Sequence, residues 1–541
     1  MRILEQAAIA AGVTEDQLME EAGIAAAQES WMAVGAIEQR GILLLVGPGN
    51  NGTDGLIAAT HLSQYGASPY VYLLRRRSDN DPKWRSFLET DIPWTCVEDD
   101  PTFEHLESLL QDASAIVDAL LGIGGAPQER PIDGPLAEVL RRVNSAHNRI
   151  PQPQVIALDV PTGVDADSGY TDPLAIDADL TVTFGFAKIG LYLVPGRSNA
   201  GRVVPVEIGI PPEASVDLPF EEIRLRDLKG AMPERPDDSN KGTFGTVEIA
   251  AGSKHYPGAA RLAAEAAARS GVGLVRLASP EAIQSLLVAG IPDVVHDPLP
   301  STDKALDSDA ARELLRILDT YRPEALLVGP GISLTEDTRA FTKHLITGLD
   351  SIDGPKVVVF DADALNALAD EPEWWCRFSL PRVLTPHPGE MARLTKMSAD
   401  EIQKNRLACA AEYAVLTNSI TVLKGAGTVI AAPDGHARLS ETANSMLATA
   451  GTGDVLAGLL VGLLAQGLEP YDAASVAVYI HSDAARRVRE THGSAASIAQ
   501  DLLVTLPESR RLFETGNTPL PLSDFGGMPG GMPGGMPLDL N

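Results

Sequence analysis

Short apolar runs that end on Gly or Asp and lead into helical patterns recur along this chain, and they restrict its fold more than any other feature. The first group is ILLLVGPG from Ile42, YVYLL from Tyr70, AIVDALLG from Ala115, VIALDVPTG from Val155 and LTVTFG from Leu180. Runs without polar alternation belong to strands buried on both faces, as in parallel sheets. Alternation with helices then predicts a doubly wound α/β sheet, whose ligands bind beyond the carboxyl ends of the strands. The pattern breaks among the prolines and acids between Ile208 and Leu228. It restarts with GTVEIAAGS from Gly245, GLVRLAS from Gly273, ALLVGPG from Ala325, KVVVFDADAL from Lys356 and ITVLKGAGTVIAAPDG from Ile420. A second α/β domain follows, in keeping with 541 residues, too many for one core. The expected division is 1–215, 225–512 and a Gly/Met/Pro tail, 513–541, whose Gly-Gly-Met-Pro repeats bury little.

Charge and cysteine usage exclude several classes. With 73 acidic and 43 basic residues the formal charge is -30, a field that repels nucleic acid and anionic lipid. Three separated cysteines, Cys96, Cys376 and Cys409, have no metal-ligand spacing and fit a reducing compartment. The N-terminal residues MRILEQAAIAAGVTEDQLMEEAG have no basic region before their apolar residues and soon become acidic, so a secretory signal is not expected. The apolar stretch Val455–Gly467 is shorter than the ~20 residues that span a bilayer, so it is expected to be a buried helix. A cytoplasmic enzyme without nucleic-acid or membrane partners is the resulting expectation, with a homo-oligomer as its assembly.

Chemistry gathers at the strand ends. Gly47-Pro48-Gly49-Asn50-Asn51-Gly52-Thr53-Asp54-Gly55 opens a helix, where backbone N–H groups can approach phosphate and two amides and a carboxylate exceed what a turn needs. Asp118 and Asp159 end two further strands and should meet Asn51 and Asp54 at one crevice. In the second half, Gly451-Thr452-Gly453-Asp454 begins a strongly apolar helix. Its N-terminus forms an anion hole in which Asp454 can take a proton from an attacking hydroxyl. Lys424-Gly425-Ala426-Gly427-Thr428 supplies a cation, flexible backbone and a hydroxyl without being a Walker A sequence. His387 stands in Thr385-Pro386-His387-Pro388-Gly389-Glu390, where a capping role and a ligand role are both open.

GPGNNGTDG, DALLGIGG and LDVPTGVDADSG resemble the YjeF-type NAD(P)H-hydrate epimerase domain across most of residues 1–215. The resemblance implies a Rossmann-like fold with potassium held by Asn51, Asp118 and Thr162. It implies substrate held by Asn50, Asn51, Gly52, Thr53, Asp54, Gly122, Ile123, Gly124, Gly125, Ala126, Pro127, Gln128 and Asp159. Asp159 is the acid/base candidate, and Lys188 either assists it electrostatically or snorkels at the surface. Thr53 stands where the family usually has Gly, with a cost of about 1 kcal/mol if that position needs positive φ. Ile123 replaces a usual Thr, and Thr162 a usual Ser.

TPHPGEMARL and AGTGDVLAG, with Lys241-Gly242-Thr243, Gly329-Pro330-Gly331 and Asp361-Ala362-Asp363, resemble the ADP/ATP-dependent NAD(P)H-hydrate dehydratases of ribokinase-like fold. This implies nucleotide held by Lys424, Gly425, Ala426, Gly427, Thr428 and Gly453, and hydrate by Ala259, Gly331, His387 and Asp454, with Asp454 catalytic. Ser333 departs from a common Gly. Hydroxide leaves poorly, so ADP or possibly ATP, with Mg²⁺, would phosphorylate the ring hydroxyl of NADHX or NADPHX before elimination. The domain order favours ADP by the same resemblance. The alternative is a ribokinase-like vitamin or small-alcohol kinase fused to a nucleotide-binding module, against which the epimerase-like domain weighs. A nucleotide-sensing protein without catalysis is a third reading, and the presence of Asp118 and Asp159 counts against it.

Overall fold

Alternate residues of the strand Gly41–Val46 enter two different cores. Ile42, Leu44 and Val46 pack with Ala22, Ala26, Leu56, Ala59 and Leu62. Leu43 and Leu45 pack with Leu106, Leu110, Val139, Leu140 and Val143 on the other face. The two-residue period of a strand thus explains why the run must be apolar throughout. The structure, a computed structural model, describes residues 2–35, 41–125, 130–211, 218–301, 305–440 and 444–515. These fall into two compact units, one of 1–223, 365–377 and 381–443, the other of 224–364, 378–380 and the chain from 444 onward.

In the first unit, seven parallel strands, β1 (Gly41–Val46), β2 (Ser68–Leu73), β3 (Trp94–Cys96), β4 (Ala115–Ala119), β5 (Gln154–Leu158), β6 (Leu180–Phe184) and β7 (Arg202–Val206), lie in the order β3-β2-β1-β4-β5-β6-β7. Order reverses between β1 and β4, and the turns after these two strands flank the crevice expected at such a switch point. The five strands expected from the sequence are all present. The edge strands β3 and β7 were not expected, being short or carrying Pro205. A further strand, β8 (Phe220–Glu222), precedes the expected start of the second domain at residue 225.

The second unit holds β9 (Thr246–Ala250), β10 (Leu274–Pro280), β11 (Val295–Leu299), β12 (Ala325–Val328) and β13 (Val357–Phe360), parallel in the order β11-β10-β9-β12-β13. The helix Thr452–Ala465 is buried at twelve positions, so the expectation of a buried helix around Val455–Gly467 holds. An apolar surface on all sides suits a helix enclosed by its domain. It packs on the helix Pro257–Arg269 so closely that a Cβ at Gly458 would lie 2.1 Å from the Ala263 carbonyl oxygen. Among the described residues no helix is long and apolar enough to cross a membrane. The final helix, Ala499–Thr515, extends into the tail expected from residue 513. Phe513 is buried there against Tyr479, while the rest of the tail lies outside the described residues.

The remaining strands return to the first unit. β14 (Arg382–Leu384) pairs in parallel with β15 (Ile420–Leu423), followed by antiparallel β16 (Val429–Ala431) and β17 (Ala437–Leu439). β8 pairs with β17. Lys424–Thr428 is therefore a hairpin turn between β15 and β16, which fits its position between two apolar runs.

Candidate functional site

The turn after β1 is shaped by close approaches. Gly52 lies in the first turn of the helix Asn50–Gln64, and a Cβ there would lie 2.0 Å from the Gly47 carbonyl oxygen. Gly49 precedes this helix without a side-chain cap, which leaves the first-turn N–H groups available to an anion. Thr53 lies within the helix and is absent from the positive-φ positions, so the conformational cost expected for it does not arise. Instead its hydroxyl accepts from Arg77 at 3.0 Å. The Arg77 guanidinium also grips the carbonyls of Gly47 and Gly49 at 2.9 and 3.0 Å and pairs with Asp81 at 2.9 Å. A buried arginine thus braces the turn, a role not evident from the run Arg75-Arg76-Arg77.

A cavity of about 480 Å³ opens above this turn and brings together Asn50, Asn51, Asp54, Gly122, Ile123, Gly124, Gly125 and Asp159. Gly52 and Thr53 sit behind it in the helix, and Ala126, Pro127 and Gln128 lie outside the described residues. Its outer wall comes from the first two helices, through Glu5, Ile9, Glu15, Leu18 and Met19. Sequence reasoning missed this wall, because no motif marks these acids and apolar residues as lining a site.

Asp159 ends β5 with φ 68, a left-handed conformation that is unusual for a residue with a side chain. Its Oδ1 accepts from Lys188 Nζ at 2.5 Å and from the Phe184 N–H at 3.3 Å. Lys188 also donates to the Thr183 hydroxyl at 3.0 Å and the Phe184 carbonyl at 2.8 Å. Its side chain is 5% exposed, so of the two roles open for Lys188 the surface one is excluded.

Asp118 is wholly buried, and its partners are neutral: the Thr162 N–H at 2.8 Å, the Thr162 hydroxyl at 2.7 Å and the Leu120 N–H at 3.2 Å. Burial pushes its carboxyl up to about 6 against the pull of these donors. Asn51 donates to the Leu158 carbonyl at 3.1 Å, but its Oδ1 is buried with no partner among the described residues. An uncompensated carboxylate and an orphaned amide oxygen fit a hard monovalent cation. Among the described residues no three His, Cys, Asp or Glu side chains gather as a metal site, so the fit concerns this mixed oxygen set alone.

In the second unit Gly451, with φ 92, precedes the helix Thr452–Ala465 and gives it no side-chain cap. Asp454 is the third helical residue, and a Cβ on Gly451 would lie 4.0 Å from its Oδ2. The Thr452 hydroxyl donates to the carbonyls of Leu447 and Thr449, both at 2.9 Å, and the Thr452 carbonyl lies 2.9 Å from Nε2 of buried His481. These bonds fix the helix start. Ala259 and Gly331 are adjacent, since a Cβ on Gly331 would stand 2.7 Å from that of Ala259. Ser333 has φ 70, a left-handed conformation that favours Gly over a residue with a side chain. Its hydroxyl meets Ser253 at 2.9 Å, and its N–H donates to Asp363 at 2.9 Å.

In the first unit His387 caps the helix Pro388–Thr395. Its Nδ1 accepts from Gly389 N–H at 3.0 Å while Glu390 Oε2 accepts from the His387 N–H at 2.8 Å. The neutral ring therefore carries its proton on Nε2, 3.3 Å from Glu390 Oε1. Capping and ligand roles are compatible, because the side chain remains 51% exposed. Lys424 Nζ lies 3.9 Å from Glu390 Oε2. The nearly buried Arg406 donates to the carbonyls of Leu423, Lys424 and Gly427 at 2.9, 3.1 and 3.3 Å. Burial lowers it to about 10. The Thr428 hydroxyl closes the turn onto the Gly425 carbonyl at 3.0 Å. Ala426 belongs to the same turn, and Gly453 to the first turn of Thr452–Ala465.

Residues 15–190 match the family model described as YjeF-related protein N-terminus, and residues 247–508 that described as NAD(P)H-hydrate dehydratase. The bifunctional NAD(P)H-hydrate repair enzyme Nnr of Moorella thermoacetica is 38% identical over 507 residues, covering 92% of each chain. The protein of the same name from Salinibacter ruber is 36% identical over 515 residues, again covering 92% of each. A crystal structure of ADP/ATP-dependent NAD(P)H-hydrate dehydratase from Bacillus subtilis, co-crystallised with ATP/Mg²⁺, shares 33% identity at a TM-score of 0.47, covering 54% of this chain and 98% of that one. With both family models matched in order and relatives aligned over nearly the whole length, this chain belongs to the family of bifunctional NAD(P)H-hydrate repair enzymes.

Proposed function

We propose that this chain restores hydrated nicotinamide cofactors in two reactions. Residues 1–215 interconvert the R and S hydrates of NADH and NADPH, and residues 225–512 dehydrate the S form at the expense of ADP. The observation that carries the first reaction is the cavity shared by Asn50, Asn51, Asp54, Gly122–Gly125 and Asp159. The open helix start behind Gly49 receives a substrate phosphate, and Asp159 moves protons at the ring hydroxyl, oriented and charge-balanced by Lys188. Asn51, Asp118 and Thr162 would hold potassium, which would supply positive charge beside the buried carboxylate and the substrate phosphates. Ala126, Pro127 and Gln128 also bind substrate in this reading.

In the dehydratase, Asp454 takes the proton of the ring hydroxyl as that oxygen attacks the terminal phosphoryl group of ADP, and AMP leaves. Phosphate then departs with the carbon–oxygen bond pair while the adjacent ring carbon gives up a proton to water, and the pair of that C–H bond becomes the ring double bond. Lys424, the backbone of Gly425–Thr428 and Gly453 hold the nucleotide, and the uncapped start of Thr452–Ala465 stabilises the transferring charge. Ala259, Gly331 and His387 position the hydrate. Mg²⁺, which normally keeps most of its contacts to phosphates and water, would arrive with the nucleotide and neutralise its charge. ATP is the competing co-substrate.

The test incubates the purified chain with mixed epimers, with and without ADP or ATP, and follows recovery of reduced-nicotinamide absorbance. Asp454→Asn should abolish recovery while epimer exchange continues. Undiminished repair by that variant would refute the assignment.

A further inference from the structure

The cavity of the first domain contains a second carboxyl whose surroundings are unlike those of Asp159. Asp54 and Asp159 are similarly buried, at 7% and 8% exposure, and line the same space. Asp159 has its countercharge, the Lys188 ammonium, at 2.5 Å. Asp54 has other acids as its electrostatic neighbours: Asp159 from the end of β5 and Glu5 from the first helix. Glu15, from the second helix, lines the same cavity. The two cations that act on Asp54 are committed elsewhere. Arg77 is held by Gly47, Gly49, Thr53 and Asp81, and Lys188 by Asp159, Thr183 and Phe184. Burial, then Asp159, then Glu5 drive the Asp54 carboxyl well above the usual range, and Arg77 and Lys188 offset only part of this.

Two buried carboxyl groups that line one cavity, one held by an ammonium and the other faced by acids, are placed to serve as base and acid. We propose that Asp54 is a catalytic residue of epimerisation, the proton donor that works opposite the proton acceptor Asp159. This rests on the assignment of Asp159 made above.

In the step from one epimer, Asp54 protonates the ring hydroxyl. The carbon–oxygen bond breaks with its electron pair leaving on oxygen as water, and the adjacent ring nitrogen donates its lone pair to form an iminium. Water then adds to the opposite face of that carbon, and Asp159 takes the released proton. Asp54 ends ionised and Asp159 protonated. The reverse reaction uses the two groups in exchanged roles, and proton exchange with solvent restores the starting state, in which Lys188 again faces a carboxylate. No external oxidant or reductant is needed.

The experiment uses the full chain and its Asp54→Asn, Asp54→Glu and Asp159→Asn variants, with a single purified hydrate epimer. Epimer exchange is followed by chromatography from about pH 5 to about pH 9, with oxygen exchange measured in ¹⁸O-labelled water. The wild-type rate should describe a bell, and labelled oxygen should enter in step with inversion. Asp54→Asn should lower kcat at least ~100-fold and remove the alkaline limb, while Asp54→Glu restores that limb with part of the rate. If Asp54→Asn raises KM alone and keeps the alkaline limb, Asp54 only binds substrate and the proposal is overturned, with Asp159→Asn still inactive. If Asp159→Asn also exchanges epimers at the wild-type rate, the assignment of the site itself fails. Inversion without oxygen exchange would overturn the written step.

Discussion

Lys188 Nζ lies 2.5 Å from Asp159 Oδ1, although 29 residues separate the two in sequence and each leaves its own strand end. Both side chains are buried, at 5% and 12% exposure, so neither charge can fall back on water if the other is removed. Lys188→Met should therefore destabilise the first domain by about 3–5 kcal/mol, the usual result of stranding one member of a buried pair. Thermal or denaturant unfolding at neutral pH measures the effect. A change within about 0.5 kcal/mol, as at an ordinary surface position, would show that Lys188 is not buried with Asp159.

Potassium should stabilise the same domain more than a cation too large to enter. Asp118 is buried among neutral donors, and the Asn51 Oδ1 is left without one, so a cation between such oxygens would offset the cost of both. Melting temperature measured in potassium chloride should exceed that in tetramethylammonium chloride at equal ionic strength. Asp118→Asn should erase the difference. An equal response to both salts in the unaltered protein would remove the case for a cation there.

Much of this arrangement was legible in the residues, and the parts that were not share a physical reason. Strands β1 and β5 are apolar on both faces because each face packs into a core, and that composition is visible without coordinates. β11 was missed because an edge strand carries polar residues and Pro298 where no neighbour requires its N–H. Asn51, Asp54, Asp118 and Asp159 stood out because strand ends concentrate chemistry. Arg77 and Arg406 did not, since their value lies in carbonyls brought to them by folding. Spacing alone does not distinguish Arg77, bound to the Gly47 carbonyl, from Arg76, which is paired with Asp99 at the surface.

Arg406 should act on nucleotide binding through the turn it holds. Its Nη2 reaches the carbonyls of Leu423, Lys424 and Gly427 while its Nη1 donates to Gln403 Oε1, a planar fork that a lysine cannot reproduce. Arg406→Lys should raise the KM for ADP by roughly tenfold, equivalent to about 1.4 kcal/mol, with a smaller change in kcat. Steady-state kinetics at saturating hydrate separates the two parameters. An unchanged KM would show that the turn keeps its shape without the fork.

Glu248 gives the second unit a pH dependence. It lies 3.2 Å from Arg276, which also pairs with Asp297 at 2.8 Å and stacks on Tyr321, so one cation serves two carboxylates. Burial first, then Asp297, pushes Glu248 up to about 8, against the opposing pull of Arg276. A carboxyl raised on folding binds its proton more tightly in the native state. Its contribution is complete below about pH 4.5 and is lost as pH rises through about 8. Unfolding free energy should thus decline over that window by an amount that Glu248→Gln largely removes. An identical slope in the variant would assign the decline to other groups.

Gly458 offers a test in which two effects of known sign oppose each other. In an exposed helix interior, replacing Gly by Ala stabilises by about 1 kcal/mol. Here the added Cβ would stand 2.1 Å from the Ala263 carbonyl oxygen, within the contact between Thr452–Ala465 and Pro257–Arg269. Backbone cannot rotate away as a side chain can, so the helices must separate, at a cost of typically 1–3 kcal/mol. The clash should win, and Gly458→Ala should lower the melting temperature. Because Asp454 lies one turn before Gly458, the displacement should also slow dehydration of the S hydrate while epimer exchange in the other domain continues. A more stable variant with full dehydratase activity would mean that the two helices do not meet at this distance.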